Sequence, residues 1–249
     1  MPNLPALFPS VVGVVVLAAV TVGVLLAFRV RAAWSPATAI LRGAIQLAIL
    51  SVILTGIITS ALWIALALVV MFSVASTVAA RRIGWTWRTA GMTASSMAAG
   101  ILTACTIVFA TGALELTPRY ALAIGAIIIG NSMSIATLTG RHFVSGVVDR
   151  WDEVEGWLAL GAVPRQSTLE QARRAVREAL VPTIDQTKTT GLVVLPGAFV
   201  GAIFGGISPL DAGRFQLVVL ASIMAAGSIT AVLTVLWLGP VKVKPAAIR

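Results

Sequence analysis

Charged side chains are scarce in this sequence. Of its 249 residues only 11% are charged, whereas 58% are hydrophobic. A soluble domain carries roughly a quarter charged residues, so this composition excludes a soluble globular protein. The chain also has a single cysteine, Cys105, which permits no disulfide bond within the chain.

Most of the sequence consists of long hydrophobic runs. Seven of them are long enough to cross a hydrocarbon core of roughly 30 Å. They cover about residues 9–28, 39–58, 61–79, 92–112, 119–139, 189–206 and 215–238. We therefore predict an all-α integral membrane protein with about seven transmembrane helices, in contact with membrane lipid. Because the sixth run contains Pro196 and several glycines, its helix is predicted to be broken near that proline.

The basic residues predict how these helices are oriented. When successive loops are assigned to opposite faces, nearly all Arg and Lys residues outside the spans fall on one side, and only Arg119 and Arg214 fall on the other. The positive-inside rule then places the N-terminus outside and the C-terminus in the cytoplasm, which requires an odd number of spans. This topology explains the net charge of +9 without a nucleic-acid partner. The predicted location is the cytoplasmic (inner) membrane.

One long polar segment, about residues 141–188, interrupts the hydrophobic runs. It contains seven acidic and seven basic residues. Helical periodicity predicts an amphipathic helix from Trp151 that ends at Gly161. A second helix is predicted from Ser167, which has capping-box spacing to Glu170, and Pro182 is expected to end it. Together the two helices form a predicted cytoplasmic hairpin over residues 151–182.

Few polar groups lie inside the predicted spans, and none of them is a carboxylate. The second span carries Arg42 and Gln46 on one face; the Arg42 head group either reaches the membrane interface or contacts the interior. The fifth span carries a polar patch that serves either hydrogen bonding between helices or solute contact. The residues predicted to line a solute path are Arg42, Gln46, Asn131, Ser132, Met133, Ser134, Pro196 and Gly197.

Signals for catalysis and for nucleotide binding are missing. No Gly-x-x-x-x-Gly-Lys-Ser/Thr loop and no Ser/His/Asp set is present, so the sequence indicates neither a P-loop ATPase nor another enzyme. The single histidine, His142, follows Arg141 at a predicted helix end, and spacing alone identifies no metal ligands. We expect no cofactor in this chain; ATP and Mg²⁺ would be bound by a partner.

The hairpin resembles the EAA-type cytoplasmic loop of ABC transporter permeases, which docks into an ATPase subunit. The similarity rests on Glu155-x5-Gly161-Ala162-x-Pro164-x-Gln166. It implies that residues 141–188 are a coupling segment within a single transmembrane permease domain over residues 1–249. The residues implied to contact the ATPase are Glu155, Trp157, Leu158, Gly161, Ala162 and Pro164.

Further motifs resemble the FetB-like permeases, the membrane subunits of iron-export ABC transporters. They include Arg42-x3-Gln46, Gly130-Asn131-Ser132-Met133, Ala179-Leu180-x-Pro182 and Leu195-Pro196-Gly197. The resemblance implies a homodimer, with each copy paired with a cytoplasmic ABC ATPase, that exports metal ions. Plant relatives are linked to aluminium tolerance and nucleotide-sugar transport. An ABC permease for another solute and an ATP-independent carrier or channel therefore stay open as alternatives.

Overall fold

The computed structural model describes residues 4–57 and 60–246, with side chains at 8–51 and 60–246. These residues form ten α-helices and no β-strand, which confirms the all-α prediction for this part of the chain. The helices are α1 (Leu4–Ala27), α2 (Ser35–Ile57), α3 (Ala61–Ile83), α4 (Trp87–Ala110), α5 (Pro118–Asp149), α6 (Trp151–Ala159), α7 (Pro164–Ser167), α8 (Leu169–Thr189), α9 (Gly197–Phe204) and α10 (Pro209–Leu238).

The chain forms two compact units. The first, Met1–Thr59, contains α1 and α2, which pack against each other. The second, Ser60–Arg249, contains α3 to α10. The interpretation of residues 1–249 as a single permease domain stays a prediction.

Five helices have the length and hydropathy needed to cross a membrane. They are α1 from Phe8 onward, α3, α4, α5 and α10. Helix α2 has 23 residues, or about 34 Å at 1.5 Å per residue, but it is not among these five. The described residues thus contain five candidate membrane spans, while the count of seven and the orientation stay predictions.

Small residues set the packing of the second unit. A Cβ atom on Gly125 would contact Leu68, and one on Gly140 would contact Ile83. These contacts show that α3 and α5 run in parallel. Helix α4 runs the opposite way along α10, where Gly100 lies so close that a Cβ atom would be 2.6 Å from Oγ1 of Thr230. Such close approach is how apolar helices pack when both are surrounded by lipid.

Helices α5 and α10 also run in parallel. Ile135 lies against Gly227, and Phe143 belongs to the same cluster as Val235, eight residues further along each helix. The helices α3, α5 and α10 therefore end on one side of this unit, and α4 begins there. We call this side the α6 end because α6 follows directly after α5.

The two helices of the predicted hairpin are present, but their details differ from the prediction. Gly161, at φ +89°, follows the last turn of α6 as expected. Ser167 does not cap the second helix; Thr168 precedes it, and its side chain makes no capping hydrogen bond. Pro182 lies inside α8, which continues to Thr189. Packing against α5 and α10 holds α8 together across the proline, whose ring is exposed.

The predicted sixth span, about residues 189–206, is not one continuous helix. Only the eight residues of α9 are helical, about 12 Å, which is too short to cross a bilayer core of roughly 30 Å. Between α8 and α9 the chain makes a tight loop in which Gly191, at φ +86°, donates a backbone hydrogen bond to the Val194 carbonyl (2.9 Å). Pro196 then precedes the first turn of α9. The predicted break near Pro196 is confirmed.

Candidate functional site

A cavity of about 690 Å³ opens beside α5 near the α6 end. Residues of α5 that recur every three or four positions line it, because they share one face of the helix. Arg82, from the end of α3, completes the lining. The α5 residues are Ser134, Thr137, Leu138, Arg141, His142, Ser145, Val148 and Asp149.

The charge in this cavity is mainly basic. Within the described residues, neither Arg82 nor Arg141 forms an ion pair. Asp149 is the only acidic residue in the lining, and its Oδ2 accepts a hydrogen bond from Oγ of Ser145 (3.2 Å). Two unpaired guanidinium groups and several hydroxyl groups are suited to bind an anion.

A smaller cavity between α5 and α8, about 230 Å³, adjoins the first one. Glu178 connects its two walls, because its carboxylate is 3.3 Å from Nδ1 of His142 and accepts a 2.7 Å hydrogen bond from Nε of Arg174. In the described ranges, no group of three or more His, Cys, Asp or Glu residues comes together that could hold a metal ion.

The four predicted path residues of α5 have different surroundings in the structure. The Asn131 amide donates to the Ile127 carbonyl of its own helix (2.9 Å). Ser132 is buried, and its hydroxyl has no hydrogen-bond partner among the residues that the structure describes; Met133 packs against the hydrophobic core. Only Ser134 lines the basic cavity. The sequence could not distinguish these roles, since adjacent residues of one helix face different neighbours.

The other predicted path residues lie outside this cavity. Arg42 and Gln46 are exposed on α2, in the first unit, four residues apart as expected. Pro196 is half-buried before α9, and Gly197 is the exposed first residue of that helix. A Cβ atom on Gly197 would meet no atom within 4 Å.

The six predicted docking residues lie in one partly exposed segment, the end of α6 and the turn into α7. Val154 is fully buried and anchors α6, whereas the side chains beyond it become accessible. Glu155, Trp157 and Gly161 are exposed. Leu158, Ala162 and Pro164 are half-buried.

Sequence reasoning missed two apolar residues of this segment. Leu160 is 82% exposed and Val163 is 55% exposed, on either side of Gly161. Trp157 is 59% exposed, so that exposed apolar residues recur at every third position from 157 to 163. This spacing was visible in the sequence, but the stretch was interpreted only as a turn. We call Trp157, Leu160 and Val163 the apolar tip. Three large apolar side chains that are exposed so close together in the chain favour a contact with a partner or with lipid.

Known proteins similar to this chain are membrane proteins. A family model described as "Uncharacterised protein family (UPF0014)" matches residues 8–240. The rice UPF0014 membrane protein STAR2 is 37% identical over 79% of this chain and 70% of its own length. The UPF0014 membrane protein YjkA of Bacillus subtilis (strain 168) is 34% identical over 78% of this chain and 79% of its own length.

A further relative carries a name that states a function. The probable iron export permease protein FetB of Escherichia coli (strain K12) is 34% identical over 56% of this chain and 53% of its own length. No solved structure matches the chain. The family match extends over most of both compact units and over all five candidate membrane spans. This chain is therefore a multi-pass membrane protein that belongs to the UPF0014 family, with FetB among its relatives.

Proposed function

We propose that this chain is the permease subunit of an ATP-driven ABC exporter, working as a homodimer with separate ATPase subunits, and that its substrate is an iron ion. Membership of a family that contains a permease-named relative supports the transport role. The hydrolysis of ATP would take place in the partner, so the chain itself is a transport subunit and not an enzyme.

The observation that carries the proposal is the apolar tip on the turn between α6 and α7. Three large apolar side chains are exposed on a segment that is fixed to the rest of the unit by buried Val154. Burying such side chains in a partner's groove stabilises a complex by about 1.5–3 kcal/mol per residue. Gly161, at φ +89°, creates the sharp turn that presents them. The EAA-like motif coincides with this turn.

The proposed path runs along the basic cavity and past the broken segment before α9. ATP-driven closure of the partner ATPases would move the α6–α7 turn, and α5, which leads directly into α6, would carry that motion to the cavity. Ser134, which lines the basic cavity, then contacts the solute. Pro196 and Gly197 permit the short helix α9 to tilt.

Co-purification tests the partner. The chain would be purified from its own membrane in mild detergent, with mass spectrometry of the complex and an ATPase assay with and without ferrous iron. We expect an ABC ATPase whose turnover increases with iron. Recovery of the ATPase without iron stimulation would reject iron and retain the permease role. A chain that transports iron without any ATPase would reject the proposal.

A matched pair of tryptophan variants tests the docking segment. Trp157→Ala is expected to lose most of the bound ATPase, because it removes the largest side chain of the apolar tip. Trp87→Ala is the control: Trp87 is 85% exposed at the same end of the unit, as the first residue of α4. Equal loss of ATPase from both variants, or from neither, would contradict docking at the apolar tip.

The basic cavity favours a second candidate substrate class. Arg82 and Arg141 would repel a bare metal cation and attract an anionic solute, such as a nucleotide-sugar. The same complex would form, but its ATPase would respond to the anion and not to ferrous iron. Arg141→Gln separates the candidates: it should weaken stimulation by an anionic solute and leave stimulation by ferrous iron equal or stronger.

A further inference from the structure

Helix α8 runs alongside α10 from the α6 end toward the middle of the unit. At its start, the hydroxyl of Thr168 donates to the carbonyl of Gly239, just beyond α10 (2.8 Å). Twelve residues later, Leu180 lies beside Gly227, twelve residues back along α10. The two helices are therefore antiparallel and in register over this distance, about 18 Å.

The chain continues in the same direction beyond α8. Phe199 of α9 lies beside Gly213, near the beginning of α10. Between Thr168 and Phe199 the chain thus covers 26 residues of α10, from Gly239 back to Gly213, or about 39 Å. That length exceeds the roughly 30 Å of a hydrocarbon core. Because α5 and α10 cross the membrane in the same direction, the chain that connects the end of α5 to the beginning of α10 must return across the membrane. Helices α8 and α9 together provide this return crossing.

This arrangement brings charged residues of α8 to the depth of apolar helices. Helix α10 has no charged residue from Phe215 to Leu238, and Gly227 lies well within that stretch. Beyond Leu180, which is level with Gly227, α8 carries Asp185 and Lys188. Their side chains are 62% and 70% exposed and 3.5 Å apart. Charged groups at such depth face protein or a water-filled cavity, because exposure to lipid is too costly.

The exposed face of α8 is charged over most of its length. At 100° per residue, nine positions fall within an arc of about 140°. Seven of them are charged, and the other two are Val181 and Ile184. These positions are Glu170, Arg173, Arg174, Arg177, Glu178, Val181, Ile184, Asp185 and Lys188. The first six also line a cavity of about 530 Å³, so the face is open at the α6 end.

We propose that this charged face of α8 lines a water-filled solute path that enters the membrane from the α6 end. The antiparallel contact of Glu178 with His142 places Lys188, ten residues on, level with about residue 132 of α5. The path therefore descends to the depth of Ser134 and the basic cavity. This inference deepens the proposed transport function and rests on it. It gives α8, part of which was predicted to belong to the cytoplasmic hairpin, a role in lining the solute path.

Cysteine accessibility tests the path in the full chain, reconstituted in lipid vesicles. The single native cysteine permits a clean background, Cys105→Ala. Single cysteines are then placed at Lys188, at Arg173 on the same face nearer the α6 end, and at Leu217. Leu217 is exposed on α10 about level with Lys188 and serves as the lipid-facing control. Each is treated with a small charged methanethiosulfonate and with a bulky polyethylene-glycol maleimide.

We expect Arg173→Cys to react with both reagents, Lys188→Cys to react only with the small one, and Leu217→Cys to react with neither. Asp185→Cys provides a second position at depth and should behave like Lys188→Cys. Protection of both deep positions from the small reagent would overturn the proposal, because the face would then be covered. Reaction with the polymer as fast as at Arg173→Cys would also overturn it, because α8 would then lie in bulk water.

The readout needs neither ATP nor transport. A water-filled path can therefore be rejected while the ATPase still co-purifies, and the ATPase partner can be rejected while the accessibility pattern holds. The two failures are distinguishable.

Discussion

At the scale of single residues, two serines that are two positions apart on α5 have different surroundings. Ser132 is buried and its hydroxyl has no hydrogen-bond partner among the described residues, whereas Ser134 lines the basic cavity. Burying a hydroxyl without a partner costs about 1–3 kcal/mol. Ser132→Ala should therefore keep or raise the thermal unfolding midpoint in detergent. Ser134→Ala should leave that midpoint unchanged and alter solute-stimulated ATPase activity of the complex.

Ser222→Ala is the matched control for Ser132→Ala. Ser222 is also buried, but its hydroxyl donates to the Val218 carbonyl (2.7 Å). Its removal deletes a hydrogen bond worth about 0.5–1.5 kcal/mol and should lower the unfolding midpoint slightly. If Ser132→Ala destabilises the protein more than Ser222→Ala does, the hydroxyl of Ser132 has a binding partner, and the expectation that it is buried without one is wrong.

Little of the cavity lining was predictable from the sequence, because, of the predicted path residues, only Ser134 lies in it. The sequence identified the polar patch at Asn131–Ser134 because polar groups inside a hydrophobic run are conspicuous. Only the packing of α5 against its neighbours determines that Ser134 faces a cavity and Met133 the core. Arg82 joins Arg141 from a different helix, and that pairing depends on how α3 lies along α5.

At the scale of helices, α4 and α10 approach too closely for any side chain at Gly100. A methyl group there would lie 2.6 Å from Oγ1 of Thr230 and would also press on the Ala226 carbonyl. Gly100→Ala should therefore destabilise the protein by about 1–3 kcal/mol, as overpacking does. The check is the shift in the thermal unfolding midpoint of the purified chain.

Gly91→Ala, on the same helix, is the control for Gly100→Ala. A Cβ atom at Gly91 would meet nothing within 4 Å. Replacing a helical glycine with alanine at an open position stabilises a helix by about 0.5–1 kcal/mol. If both variants behave alike, the close contact between α4 and α10 does not govern stability.

Helix ends and breaks were predicted correctly where a local glycine or proline determines the backbone conformation. They were missed where packing against other helices determines whether a helix continues. Gly161 ends α6 as expected, because the residue after the last turn adopts the αL conformation, which glycine tolerates better than other residues. Pro182 was expected to end a helix, yet α8 continues to Thr189 against α5 and α10. The hydropathy of residues 189–206 suggested a spanning helix, but Gly191 and Pro196 leave only α9 helical.

At the scale of the whole molecule, the parallel course of α5 and α10 makes a strict prediction about topology. Both helices must begin on the same side of the membrane, which the positive-inside rule identifies as the outside. Leu116 lies just before α5 and Leu210 at the beginning of α10, and both are exposed. In the Cys105→Ala background, cysteines at these positions should react with an impermeant maleimide in intact cells. Trp87→Cys, at the first residue of α4, should react only after permeabilisation.

Two patterns would contradict this topology in different ways. If Trp87→Cys alone reacts in intact cells, the orientation is inverted while the number of crossings in this unit stands. If Leu116→Cys and Leu210→Cys react from opposite sides, the chain does not cross back between α5 and α10. That second result would contradict the crossing by α8 and α9, and with it the charged path, because Asp185 and Lys188 would no longer lie at membrane depth.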